Sequence, residues 1–192
     1  MPKNVEIERR FLVDGRYNRP WIEESSDQIR ITQWYLEADL FTASEATGSL
    51  SYDNIVMVAD VESALCQTIS QNPNWTVRLR NWNKTYFLTL KGARKGATAT
   101  EYEWEIAADV AASIVQDSYH PHIEKNRYLW YGADEMLWEI DEFEGDLAGL
   151  IIAEVELETE ASEVLLPEWV GMELTHLEGW SNASLVRMIR QE

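Results

Sequence analysis

Glu6, Glu8 and Arg10 fall two residues apart in the segment VEIERRFLV (5–13), with Val5, Ile7, Phe11 and Val13 among the intervening positions. A β-strand alternates its side chains with a period of two, so this segment puts two carboxylates and a guanidinium on one face. The pattern recurs along the chain. Glu101, Glu103 and Glu105 alternate with Tyr102, Trp104 and Ile106, and Glu154, Glu156 and Glu158 alternate with Ala153, Val155 and Leu157. Arg78 and Arg80 share a face, as do Lys125 and Arg127, and Glu139 and Asp141.

One such strand is what an antiparallel sheet with a wet face shows. A wet face, however, usually mixes Lys, Thr, Ser and Gln with its acids, whereas here most alternating positions in five segments are fully charged. Closing the sheet with the charged face inward would give a polar tunnel, with the apolar face outward under helices. Charges in such a place must pair, bind metal or stay hydrated. A lumen of both signs suits a polyphosphate. Arg and Lys bind its oxygens, and carboxylates hold the Mg²⁺ or Mn²⁺ that bridges them.

The elements that must position these groups are predicted from the same alternation. Strands are expected over residues 4–13, 28–36, 75–82, 85–92, 101–107, 122–131, 136–143 and 151–159. Hairpin loops are expected at 81–84 and 132–135. Eight strands with mostly short connections predict an α+β, mainly β, chain: an eight-stranded antiparallel barrel or tunnel with flanking helices. Helices are expected at 60–70 with Asp60 as cap, at 107–117, and at 181–191 with Ser181 or Asn182 as N-cap. Pro167 and Trp169 are expected to open a short helical turn. Residues 37–74, rich at first in Ala, Ser, Thr and Gly, read as an insertion, part loop and part helix, that either lids the tunnel or makes a homodimer contact.

A chain of 192 residues with 45% hydrophobic and 11% aromatic content is long and apolar enough to bury one core, so a single domain is expected over 1–192. The net charge of −18 argues against a nucleic-acid partner, which needs a basic surface to displace counterions. No apolar run approaches the roughly 20 residues of a membrane span. No secretory signal is visible, and the single Cys66 excludes an internal disulfide or a Cys-rich zinc site, so a cytoplasmic location is expected. His120 and His122 flank Pro121 and read as a loop rather than a metal pair. Arg94 and Lys95 read as a hairpin tip, and the nine Trp residues as packing beneath helices.

The ordered set EIERR (6–10), QWYL (33–36), VRLR (77–80), FLTLKG (87–92), EYEWEI (101–106), IEKNRY (123–128), WEIDEFEGDLAGL (138–150), AEVELE (153–158) and WSNASL (180–185) resembles the CYTH family, or triphosphate tunnel metalloenzymes, in its short bacterial type. The resemblance implies a triphosphatase acting on inorganic triphosphate or a small organic triphosphate with Mg²⁺ or Mn²⁺. An adenylate cyclase, or a polyphosphate- or nucleotide-binding module with little turnover, are the alternatives. Carried over by position, it implies Glu6, Glu8, Glu154 and Glu156 as metal ligands, with Glu139 and Asp141 as helpers. Arg78, Arg80, Lys91, Lys125 and Arg127 become the phosphate contacts. Arg10 and Tyr35 take the catalytic positions. Arg10 stands where the family signature has Lys. A guanidinium stays protonated and cannot accept a proton, which leaves it the role of phosphate clamp. Trp34 replaces the usual Gly before Tyr35. Ala99 replaces an Arg that relatives often carry.

Overall fold

The computed structural model describes residues 4–16 and 18–189. In chain order its elements are β1 (Val5–Val13), α1 (Trp21–Glu24), β2 (Asp27–Leu36), β3 (Phe41–Ser44), β4 (Ser49–Tyr52), β5 (Ile55–Val58), α2 (Ser63–Ser70) and β6 (Thr76–Trp82). There follow β7 (Thr85–Lys91), β8 (Thr98–Ile106), α3 (Ala108–Asp117), β9 (His122–Tyr131), β10 (Leu137–Phe143), β11 (Ile151–Glu156), β12 (Val170–Glu173) and α4 (Asn182–Ile189). Hydrogen-bonded neighbours run β11-β10-β9-β2-β6-β7-β8-β1-β12, and β11 also pairs with β1, so the strand order closes on itself. The chain is mainly β, and its eight long strands make the expected antiparallel barrel.

Every long strand expected from the alternation is present, with ends shifted by a few residues. β8 begins at Thr98, three residues early, and β11 stops at Glu156. The β6–β7 loop turns through Asn83 (φ 48°) and Lys84 (φ 76°), both left-handed, the geometry that a two-residue hairpin with right-twisted strands requires.

The chain separates into two compact units. The first comprises residues 1–32, 94–100 and 123–192, within the described range. Its apolar core gathers Phe11, Val13, Trp21, Trp138, Ile140, Ala153 and Val155. The partly buried Trp169 packs against it, with ring centroids 5.0 Å from Trp21, 5.4 Å from Trp130 and 5.6 Å from Trp138, all edge-on as aromatic quadrupoles prefer. Trp21 lies on α1, a single turn where a solvated turn is expected from Glu23 and Glu24. Pro167 opens a turn closed by the Val170 N–H on its carbonyl, not a helix, and the chain continues into β12, which alternation over so few residues does not reveal. β12 lies so close to β1 that a Cβ on Gly171 would stand 2.4 Å from the Leu12 carbonyl oxygen. Ser181 caps α4 by accepting the Ser184 N–H at 3.1 Å, as expected. The last residues of the expected helix 181–191, Arg190 and Gln191, lie outside the described residues.

The second unit comprises residues 33–93 and 101–122. Its core packs Val77, Leu79, Leu88 and Leu90 of the sheet with Ala111 and Ile114 of α3 and Cys66 and Ile69 of α2. Residues 37–74 correct the expectation of loop and helix, because β3, β4 and β5 form a small antiparallel sheet ahead of α2. β3 (FTAS) and β4 (SLSY) are too short for an alternation to stand out, and β5 (IVMV) is a brief apolar run with no alternation at all. Their hairpin signal is the Asp53-Asn54 pair, both left-handed at φ 43° and 66°. Glu62, not Asp60, precedes the first turn of α2, since Asp60 itself is left-handed at φ 57°. His120 is buried. Its Nε2 shares hydrogen bonds with the Ser118 hydroxyl (2.9 Å) and the Ile114 carbonyl (3.0 Å).

Candidate functional site

In the first unit, antiparallel register does the assembly. Arg10 of β1 stands opposite Glu154 of β11, which stands opposite Glu139 of β10, and Asp141 of β10 stands opposite Arg127 of β9. Side chains from directly opposed residues are within reach of each other, so an alternating sequence on four strands becomes an alternating chain of charges in space. The chain begins at Arg94, which contacts Glu8 Oε1. Arg10 Nη2 donates to the same oxygen at 3.1 Å, and Arg10 also binds Glu154 Oε1 through Nε and Nη2. Glu154 Oε2 accepts from Arg127 Nη2 at 3.3 Å. Arg127 grips Asp141 bidentately, Nε to Oδ1 and Nη2 to Oδ2, both at 2.7 Å, and contacts Glu139 through Nη1. Lys125 ends the chain on Asp141 Oδ2.

Four carboxylates and four basic groups therefore alternate, and their formal charges cancel. Lys125, Asp141, Glu8, Glu154, Arg127 and Arg10 are all buried. For Arg10, Arg127, Asp141 and Lys125 burial works against the charge, and the neighbours decide the result. Burial lowers Arg10, but Glu154 and Glu8 more than restore it, so it stays protonated, and Arg127 is likewise held charged by Asp141 and Glu139. Burial raises Asp141, while Arg127 and Lys125 hold it below the ordinary carboxylate range. Lys125 is pushed down to about 8 by burial and by Arg127. Arg10 is also fixed from outside the chain of charges. Its Nη1 donates to the Trp180 carbonyl at 2.9 Å, and its N–H to the Thr175 hydroxyl at 3.1 Å.

Of the residues expected as metal ligands, the structure brings Glu8 and Glu154 together, but onto Arg10. Glu156 stands opposite Glu8 in register at the exposed end of β11, and Glu6 stands opposite Ala99. Arg94, read from sequence as a hairpin tip, is the group that alternation does not find. It lies on a loop between strands, where no period marks it.

In the second unit, Arg78 of β6 is opposite Thr89 of β7, which is opposite Glu103 of β8, and Lys91 is opposite Glu101. Arg78 Nη2 reaches Thr89 Oγ1 at 3.2 Å and Glu101 Oε1 at 3.4 Å. Arg80 Nη2 donates to Glu103 Oε2 at 2.7 Å and lies over the rings of Trp82 (5.1 Å) and Phe87 (5.7 Å). Lys91 Nζ is 3.1 Å from Glu101 Oε2. Three basic groups thus gather around Glu101 and Glu103. Burial raises Glu101, and Arg78 and Lys91 overcome it and hold the carboxyl low. Tyr35 Oη accepts the Gln33 Nε2–H at 2.7 Å.

A closed antiparallel sheet whose strands carry opposed rows of Arg, Lys, Glu and Asp defines a protein built to handle small polyanions. The chain belongs to the CYTH domain family, whose model matches residues 67–187. It is 39% identical over 113 residues to an inorganic triphosphatase of Acetivibrio thermocellus, covering 58% of this chain and 72% of that one. To an inorganic triphosphatase of Nitrosomonas europaea it is 33% identical over 115 residues, 59% of this chain and 76% of that one. A solved structure of an inorganic triphosphatase superposes with a TM-score of 0.56 at 26% identity, covering 94% of this chain and 97% of that one.

The family is in general dependent on divalent metal ions. Hard carboxylate oxygens are the right donors for such an ion. Their arrangement here is not, because Arg10, Arg94, Arg127 and Lys125 already engage the oxygens of Glu8, Glu154, Glu139 and Asp141. Among the described residues no group of three His, Cys, Asp or Glu is disposed to hold a metal ion. No helix is long and apolar enough to cross a membrane among the described residues.

Proposed function

We propose that this chain is a triphosphatase that hydrolyses inorganic triphosphate or a small organic triphosphate. The observation that carries the reading is the pair of opposed-strand clusters described above, basic groups held at fixed spacing by carboxylates, in a chain of the CYTH family with triphosphatase relatives. Arg78, Arg80 and Lys91 are assigned as phosphate contacts in the second unit, and Lys125 and Arg127 in the first. Planar guanidiniums pair bidentately with phosphate oxygens, and the neighbouring cations Arg78, Arg80 and Lys91 offer a polyanion several donors at once. Arg10, held protonated, acts through its charge rather than as a proton acceptor, and the Tyr35 hydroxyl is assigned as its catalytic partner.

The ion is assigned as Mg²⁺ or Mn²⁺, for which carboxylate oxygens are the customary donors. Residues 1–192 are read as one CYTH domain with 37–74 inserted, in a cytoplasmic protein. A homodimer through that insertion is checked by sedimentation velocity. The experiment that tests the function measures phosphate release from a panel of triphosphates with each metal, alongside an assay for cyclic AMP. Release from tripolyphosphate, reduced in Glu8→Gln, is expected. No release with either metal, or a Glu8→Gln variant identical to wild type, overturns the reading.

A further inference from the structure

We propose that Arg10 is a resident counter-ion of the Glu8–Glu154 pair, which it holds closed to divalent cations until its guanidinium is drawn away. The inference rests on the triphosphatase reading only for the identity of the family's ion. One guanidinium bridges both carboxylates, through Nη2 to Glu8 and through Nε and Nη2 to Glu154, with both acids and Arg10 itself buried. A divalent ion on these oxygens would have to share the space with a fixed positive charge, and two cations a few ångströms apart in a poorly hydrated place repel strongly. Lysine at this position would behave otherwise. A compact ammonium donates from one atom on a flexible stem, so it bridges two carboxylates less rigidly than a planar guanidinium does.

Arg10 also has somewhere to go. With Arg94, Thr175, His176, Ser181 and Ser184 it lines a cavity of about 580 Å³. A phosphate chain entering there meets the two arginines that hold Glu8, and phosphate oxygens offer them the same bidentate acceptors as the carboxylates they would leave. Glu8 would then lose both of these arginines, and Glu154 one of its two, as the polyanion arrives. Binding of metal and of polyanion would be coupled, each favouring the other by the same factor.

The test is a titration of the phosphate-free protein with Mn²⁺, read by the electron paramagnetic resonance signal of the free ion, for wild type, Arg10→Gln and Arg9→Gln. Arg9 is the control. It carries the same charge on the same strand but pairs with Glu173, outside the alternating chain. Arg10→Gln is expected to bind Mn²⁺ at least about tenfold more tightly than wild type, the factor that about 1.4 kcal/mol of relieved repulsion produces. Arg9→Gln is expected to stay within about twofold, because a screened surface charge acts weakly at a distance. Equal affinities for wild type and Arg10→Gln, or an equal gain in Arg9→Gln, overturn the proposal. Circular dichroism checks folding. Should Arg10→Gln not fold, Arg10→Met, which keeps most of the aliphatic stem, is read by the same criteria. Phosphate release is measured in parallel. A tightened titration without any hydrolysis removes the triphosphatase reading and leaves this inference, and hydrolysis with a flat titration does the reverse.

Discussion

Glu154 is shared between two arginines, Arg10 on Oε1 and Arg127 on Oε2, so a single buried carboxylate joins the N-terminal strand to the β9–β10 hairpin. Removing Arg10 leaves Glu8 to Arg94 and Glu154 to Arg127, whereas removing Arg127 takes from Glu139 its contact in this chain of charges. The energetic consequence is larger for Arg127, which also neutralises Asp141 and Glu139.

Arg127→Met is therefore expected to destabilise the protein by roughly 3–5 kcal/mol, the usual result of breaking a buried ion pair from one side. Urea denaturation measures it. Adding Asp141→Asn to Arg127→Met is expected to recover part of the loss, and a double variant no better than the single one would contradict the account.

Arg80 pairs with Glu103 and lies over the rings of Trp82 and Phe87. Arg80→Ala is expected to raise KM for tripolyphosphate on the order of tenfold, with a smaller change in kcat, as loss of a contact made in both ground and transition states does. Steady-state kinetics separate the two parameters.

Acid should unfold the protein through its paired carboxylates. The Arg9 hydrogen bond lowers Glu173, and Arg127 and Lys125 lower Asp141 against its burial, as Arg78 and Lys91 lower Glu101. Each folded value lies below the unfolded one, so the stability these groups contribute is complete above the unfolded values near about 4 and is lost as pH falls through the folded values. Urea midpoints are expected to be unaffected by these groups between pH 7 and about 5 and to fall below about pH 4. Asp141→Asn should flatten that fall.

Two packing sites give independent checks. Trp138 is fully buried against Phe11 and Trp169, and Trp138→Ala should cost roughly 3–5 kcal/mol. Gly171→Ala should cost about 1–3 kcal/mol, because its Cβ would stand 2.4 Å from a backbone oxygen of β1 that cannot yield without parting β12 from the sheet. A Gly171→Ala variant as stable as wild type would rule out this close approach.

The alternation of Glu6, Glu8 and Arg10 with apolar residues was enough to place β1 and to put its charges on one face, because the period of a strand is a local property of the backbone. The same holds for the seven other long strands, for the Asn83-Lys84 turn and for the cap at Ser181. Short strands escaped. β3, β4, β5 and β12 have only four residues each, too few for a period to show, and β5 is apolar throughout.

What residue order alone determined was which side chains share a face, and hence that carboxylates and cations would be gathered in rows. Only the tertiary structure decided which opposite charges meet, since pairing across strands depends on register and on neighbours distant in sequence. Register set Arg10 against Glu154, 144 residues away, and a loop without any period delivered Arg94 to Glu8. Glu6 and Glu8 read from sequence as half of a metal site. In the folded chain Glu8 meets the guanidiniums of Arg10 and Arg94, because a buried carboxylate takes whichever cation its neighbours place within reach.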